Sequence, residues 1–143
     1  LTGTFICCKI FGKEMSINKK GVIVNIASHY GLVGPDQRIY GKKDNIHKVK
    51  PVSYPVVKHA VIGLTRYLAT YWAHNNVRCN ALAPGGVFNN HDADFVRNFS
   101  DLVPMNRMAK SDEYKSSLIY LCSDGSSYMN GGVLVVDGGL TTW

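Results

Sequence analysis

The sequence predicts an α/β fold, a parallel sheet with helices on both of its faces. Three observations carry this. Helix-like and strand-like stretches alternate along the chain. The strand-like stretches are short, β-branched and almost continuously apolar, as expected of strands covered on both sides. The chain has 143 residues, 45% apolar and 18% charged, enough for one core and at most one domain, with no internal repeat and no domain boundary.

In chain order, Leu1 to about Ile17 reads as a helix with Leu1, Phe5, Cys8 and Met15 near one face. Asn18-Lys19-Lys20-Gly21 closes it with basic residues and a glycine. Val22–Ala27 is expected to be a strand buried on both faces. It delivers Ser28 to the carboxyl edge, where open α/β sheets bind ligands. Residues 29–52 form a long connection whose later part is basic, with Arg38, Lys42, Lys43, Lys48 and Lys50 against Asp44. A connection of that length is uncommon unless it is functional or disordered.

Ser53 is an N-cap candidate, and Pro55 falls in a first turn where its missing N–H costs nothing. Val57, Ala60, Val61, Leu64, Leu68, Tyr71 and Trp72 then recur at steps of three and four, predicting an amphipathic helix to about His74-Asn75-Asn76. Val77–Leu82 is a second strand, with Ala83-Pro84-Gly85-Gly86 at its carboxyl end. A short helix is expected from Asp92 to Phe99. Ser111 is read as an N-cap with Asp112 and Glu113 in the first turn of a helix running to about Ser123. Val133–Val136 is the third strand, ending in Asp137-Gly138-Gly139.

Several function classes fall away. Cys7, Cys8, Cys79 and Cys122 have neither metal spacing nor a C-x-x-C pair, and read as reduced thiols of a cytoplasmic protein. The five histidines form no H-E-x-x-H or similar pair, so no metal is expected. Apolar runs are far shorter than a membrane span, and no signal-peptide pattern is visible, so no membrane partner is expected. The formal charge of +6 is dispersed apart from the one loop and belongs to no nucleic-acid recognition module. It suits attraction of anionic small molecules. The first residue is Leu1 and falls in helix, so the chain is expected to be a fragment of something longer.

Tyr54 and Lys58 are four apart and stack on one side of their helix, at the border of the apolar stripe. A phenol beside an ammonium group is a plausible proton donor, because the cation favours phenolate and pulls the tyrosine below its ordinary pKa of about 10. Alone, Tyr-x-x-x-Lys is a common helical pair. Its surroundings decide the reading.

Four motifs stand in order. Val24-Asn25-Ile26-Ala27-Ser28, Tyr54-x-x-x-Lys58, Asn80-Ala81-Leu82-Ala83-Pro84-Gly85, and Leu121-Cys122-Ser123-Asp124 followed by Val136-Asp137-Gly138-Gly139 together resemble the short-chain dehydrogenase/reductase family. The resemblance implies a Rossmann-type doubly wound sheet, of which residues 1–143 are the C-terminal part, lacking the N-terminal nucleotide-binding half. It implies that Tyr54 exchanges a proton with the substrate oxygen as hydride moves to or from NAD or NADP. Lys58 would lower the Tyr54 pKa and bind the nicotinamide ribose, and Ser28 would hold the reacting oxygen. Pro84, Gly85 and Val87 would pack on the nicotinamide, with Asn89 where the family often has a threonine for its amide. The implied partners are a small-molecule substrate and further copies of the chain, as a homodimer or homotetramer through the first two helices.

The sequence also departs from the family pattern. The glycine-rich phosphate turn, the residue that selects NAD or NADP and the supporting asparagine would all precede Leu1. Ser28 and Tyr54 are 26 positions apart, about twice the usual separation, and the basic stretch fills the excess. Tyr40 stands nearer the usual distance, but the fourth residue after it is Asp44, which keeps the assignment on Tyr54. The stretch from Gly31 to Arg38 with this insertion, together with Ala83–Phe88, is similar to members linked to bacterial surface-sugar biosynthesis.

The leading expectation is an NAD(P)-dependent oxidoreductase acting on a secondary alcohol or ketone of a sugar derivative. Tyr30 and Arg38 are candidate substrate contacts, and the loop cations could bind a phosphate or carboxylate. A reductase of 3-oxoacyl thioesters shares the same core motifs. From another class, the chain could be a non-catalytic association module.

Overall fold

A computed structural model describes residues 1–43 and 46–143, with residues 42–43 and 46–47 as backbone only. Helix α1 spans Thr2–Ile17 and strand β1 Gly21–Ile26. The connection that follows contains two 3-10 turns, His29–Gly31 and Gln37–Tyr40, and a small antiparallel pair, β2 (Lys42–Lys43) and β3 (Ile46–His47). Helix α2 spans Ser53–Tyr71, β4 Val77–Pro84, α3 Ala93–Ser100, α4 Lys115–Cys122 and β5 Val133–Val136. Asp44, and the side chains of Lys42 and Lys43 on which part of the basic-loop reading rests, lie outside the described residues.

The main sheet has the order β1-β4-β5 and is parallel throughout, with Gly21 opposite Val77 and Ala81 opposite Val133. Each crossover is helical, as parallel pairing requires. Strand periodicity sorts the two faces. Val77, Cys79, Ala81 and Ala83 of β4 pack with Cys8 of α1 and with Val61, Ile62, Leu68, Ala69 and Trp72 of the α2 segment. Leu82, on the opposite face, packs with Tyr114 and Leu121 beside Val24, Leu134 and Val136.

Asn25 on one face and Arg78 on the other are engaged, whereas the Tyr114 hydroxyl is buried without a partner among the described residues. Asn25 donates through Nδ2 to Thr65 Oγ1 (2.9 Å) and accepts from Cys8 Sγ (3.3 Å). Arg78 crosses to the end of α4 and donates to the carbonyls of Leu121, Ser123 and Met129 and to Ser126 Oγ. Leu121 and Ser123 carry carbonyls that the C-terminus of α4 leaves unpaired.

Three expectations need correction. β1 is only partly covered, and Ile26 is 47% exposed, because among the described residues the strand pairs with β4 alone. Ser53 does not cap α2; Val52 does, without a side-chain bond, and the Tyr54 N–H is met by the Pro51 carbonyl at 3.0 Å. Nor does Ser111 cap α4. Glu113 is drawn back onto Arg107 and the Lys110 N–H, so residues 111–114 stay in turns and the helix begins at Lys115.

Among the described residues no helix is long and apolar enough to cross a membrane, and no group of three His, Cys, Asp or Glu could hold a metal.

Candidate active site

The carboxyl ends of β1 and β4 open onto one cleft of about 310 Å³. Ile26–Tyr30 at the end of β1, Tyr54 and Lys58 in the first turns of α2, and Pro84–Val87 at the end of β4 form one side. Tyr40, Lys50, His91, Phe95, Phe99 and Met108 complete the lining.

Ser28 is buried, and its Oγ accepts the Tyr30 N–H at 3.2 Å, which leaves the hydroxyl proton available to another acceptor. Gly31 sets how closely α2 approaches. A Cβ there would lie 2.8 Å from the Lys58 carbonyl oxygen, so a side chain would lever the helix away from Ser28. On α2, Tyr54 is 37% exposed and faces the cleft beside Lys58. Lys58 Nζ donates to the Ile26 carbonyl at 2.9 Å and stands 5.6 Å from the centre of the Tyr54 ring. Burial lowers the Lys58 pKa.

The turn after β4 is held on two sides. Gly85 donates its N–H to the Val136 carbonyl (2.8 Å), and Gly86 O and Phe88 N are taken up by Ala109, each at 2.9 Å. Gly85 is required by proximity, since a Cβ would sit 2.8 Å from Asp137 Cα.

Of the residues picked from sequence, the cleft brings together Ser28, Tyr30, Tyr54, Lys58, Pro84, Gly85 and Val87. Asn89 is exposed and outside its lining, with its N–H on His91 Nδ1 at 3.2 Å. Arg38 is outside as well. Its side chain is 88% exposed and folds onto Asp36 two residues earlier, where the paired guanidinium holds the Asp36 carboxyl at about 2.

The lining also includes Tyr40, Lys50 and His29, none of them among the sequence-predicted site residues. Tyr40 shares a 3.2 Å hydrogen bond between its hydroxyl and that of Tyr30, and burial raises the pKa of both phenols. Lys50 Nζ stands 4.1 Å from the Tyr54 ring centre. His29 is buried, with Nδ1 at 3.1 Å from the Pro84 carbonyl. A carbonyl only accepts, so Nδ1 carries the proton and Nε2 is a bare acceptor, without a partner among the described residues. Adjacency to Ser28 is the one sequence signal for His29, whereas Lys50 stands in the sequence as one of the loop cations that could bind a phosphate or carboxylate.

Burial is the main reason that His29 titrates below the usual histidine range; Lys50 adds to this, while the Pro84 bond and Asp137 oppose it. The neutral ring therefore belongs to the folded state, and the unfolded chain binds the extra proton first. Stability from this site is complete above the unfolded pKa of about 6.5 and is lost as pH falls from there towards the lower folded value. A His29→Gln variant is expected to show a flatter decline of urea midpoint between pH 7 and 5 than the parent. Parallel declines would mean that His29 does not contribute.

With this geometry in place, comparison with known proteins is informative. Residues 1–141 match the family described as Enoyl-(Acyl carrier protein) reductase. The chain is a short-chain dehydrogenase/reductase. Galactitol 2-dehydrogenase of Rhizobium johnstonii is 33% identical over all of this chain and 54% of its own length. D-threitol dehydrogenase of Mycolicibacterium smegmatis is 35% identical over 99% of this chain and 51% of its own. A short-chain dehydrogenase from Leptospira borgpetersenii with bound NAD+ superposes with a TM-score of 0.90 at 34% identity, covering 99% of this chain and 53% of its own. This short-chain dehydrogenase/reductase chain thus spans about half the length of the curated relatives it matches.

Proposed function

We propose that the protein carrying this chain is an NAD(P)-dependent oxidoreductase acting on a secondary alcohol or ketone of a sugar-derived polyol. The observation that carries the proposal is the convergence of Ser28, Tyr54 and Lys58 on one cleft at the carboxyl ends of β1 and β4. The named relatives, dehydrogenases of galactitol and threitol, support the polyol class.

The residues present fit a nicotinamide. The Lys58 ammonium and the strapped Pro84–Val87 backbone supply donors and a flat wall along the cleft that holds Tyr54. When bound, the nicotinamide supplies the hydride donor or acceptor. Tyr54 exchanges a proton with the substrate oxygen. Ser28, whose acceptor side is already engaged by Tyr30, donates its proton to that same oxygen and stabilises the charge that grows on it. Lys58 would hydrogen-bond the nicotinamide ribose, and it places a positive charge beside the Tyr54 ring. Pro84, Gly85 and Val87, which line the same cleft, would pack on the nicotinamide.

The test uses the product of the complete reading frame that contains this chain. NADH and NADPH are titrated by nicotinamide fluorescence, followed by turnover of galactitol and threitol. Binding with turnover is the expected result. If neither dinucleotide binds, the oxidoreductase reading fails and the association-module reading replaces it.

A second reading, reduction of a 3-oxoacyl thioester, is favoured by the family description that residues 1–141 match. An apolar acyl chain has no use for a cation over Tyr54. Preferential turnover of an acetoacetyl thioester over polyols would select it.

Self-association fits α1 and α2, which expose Phe5, Ile6, Ile10 and Phe11, and Val56, Tyr67 and Tyr71. The double variant Phe11→Asp with Tyr67→Asp is expected to sediment at monomer mass with dinucleotide binding retained. An unchanged mass would move the contact elsewhere. Four free cysteines, two of them exposed, suit a reducing compartment such as the cytoplasm.

A further inference from the structure

The cleft contains a cation that the reaction above leaves unused. Lys50 reaches it from the end of the basic connection, three residues ahead of α2. Its backbone N–H donates to Gln37 Oε1 at 2.8 Å. Gln37 opens the 3-10 turn that ends at Tyr40, and Ile39 of that turn is buried against Phe99, Val103 and Met108. The long connection is thus tied to the core at the point where it delivers this side chain.

The ammonium of Lys50 stands over two aromatic faces, 4.1 Å from the Tyr54 ring centre and 6.0 Å from that of Tyr30. Lys58, the other cation among the described residues of the cleft, is engaged with the Ile26 carbonyl. Among the described residues no aspartate or glutamate lines this cleft. Asp92 and Asp94 line the adjoining cavity with Lys50, but both are engaged. Asp92 caps α3 through the N–H groups of Asp94 and Phe95, and Asp94 pairs with Arg97 at 2.8 Å. Lys48 lines only that adjoining cavity.

We propose that Lys50 binds a carboxylate of the substrate, so that the preferred polyol is a hydroxy acid of the aldonic type rather than a neutral alditol. The inference rests on Tyr54 being the proton-exchanging group, because Lys50 is placed relative to that ring. A substrate whose reacting oxygen meets Tyr54 and Ser28 has its anionic end within reach of Lys50 a short carbon chain away. One ammonium suits the single charge of a carboxylate. A phosphate dianion is ordinarily held by several donors, an arginine fork or a nest of backbone N–H groups.

The test compares D-galactonate with galactitol, which differ at one terminal carbon, on the product of the complete reading frame. Binding is read by saturation-transfer NMR and turnover by steady-state kinetics. The wild-type protein is expected to prefer galactonate, with the preference shrinking as salt is raised. Lys50→Gln is expected to lower kcat/KM and affinity for galactonate about 10- to 100-fold more than for galactitol, the range for a charge-assisted hydrogen bond. Lys50→Arg should restore most of the preference.

Equal effects of Lys50→Gln on both ligands, no effect on either, or a wild-type preference for galactitol would each overturn the proposal, as would failure to bind galactonate at all. Lys50-dependent galactonate binding without turnover would leave the proposal standing and remove the oxidoreductase reading instead. Turnover of galactitol with no galactonate preference would do the reverse.

Discussion

Replacing Tyr54 by phenylalanine is expected to lower kcat about a thousandfold while dinucleotide affinity stays within about twofold. The size follows from what the hydroxyl is asked to do. Positioned proton transfer contributes roughly 10²- to 10⁴-fold, and no other phenol of the cleft can take over. The Tyr30 and Tyr40 hydroxyls are bonded to each other, and burial pushes both away from ionisation. Binding should survive, because phenylalanine keeps the ring that Lys50 and Lys58 face and that meets Tyr30 edge-on at 6.4 Å. Stopped-flow hydride transfer with the full reading-frame product is the direct measurement. A loss below about tenfold would move the proton-exchanging role to another group.

Trp72→Ala is expected to destabilise the protein by about 3–5 kcal/mol, the usual cost of removing a large aromatic side chain from a core. The indole is 7% exposed and sits with Cys8, Leu68, Val77 and Cys79 where α1, α2 and β4 meet. Gly12 of α1 lies directly against it, and a Cβ at Gly12 would collide with Cη2 of the indole. α1 is therefore seated by a glycine that admits the ring, and truncation leaves a hole that rigid helices close poorly. Since whole domains are stable by about 5–15 kcal/mol, a large downward shift of the urea midpoint by circular dichroism is expected. A change below about 1 kcal/mol would show that α1 does not depend on this contact.

Much of this architecture can be read from the chain. Val133–Val136 is a strand with the predicted bounds, and the short helix expected from Asp92 to Phe99 is α3, Ala93–Ser100. The helical spacing from Val57 to Trp72 became a helix whose apolar side lies on β4. Errors came where one local rule met a competing local bond. Ser53 could have capped α2, but Pro55 offers no N–H and the N–H of Val56 is taken by the Val52 carbonyl. Ser111 could have capped α4, but the Arg107–Glu113 pair closes a turn over the same residues.

Sequence separation sets the limit on the site. Ser28, Tyr54, Lys58 and the Pro84–Val87 turn sit at element ends, where motif and topology coincide, and all line one cleft. His29 and Lys50 are placed by bonds to Pro84 and Gln37, and neither bond leaves a pattern in the sequence. Arg38 was misjudged for the opposite reason. Its partner, Asp36, is close by in sequence, and the pair satisfies itself at the surface.

The strand order also has a temporal side. β4 pairs with β1 on one side and with β5 on the other, so its β5 side stays open until Val133–Val136 has been made. About fifty residues separate Pro84 from Val133, and at ribosomal rates of about 5–20 residues per second that is a wait of several seconds. For that interval the nascent Val77–Pro84 segment presents an unpaired apolar edge, the kind of edge that recruits chaperones or sticks to its copies on neighbouring ribosomes. Synonymous codons that slow translation between Pro84 and Val133 should therefore lower soluble yield without altering a single residue of the finished protein.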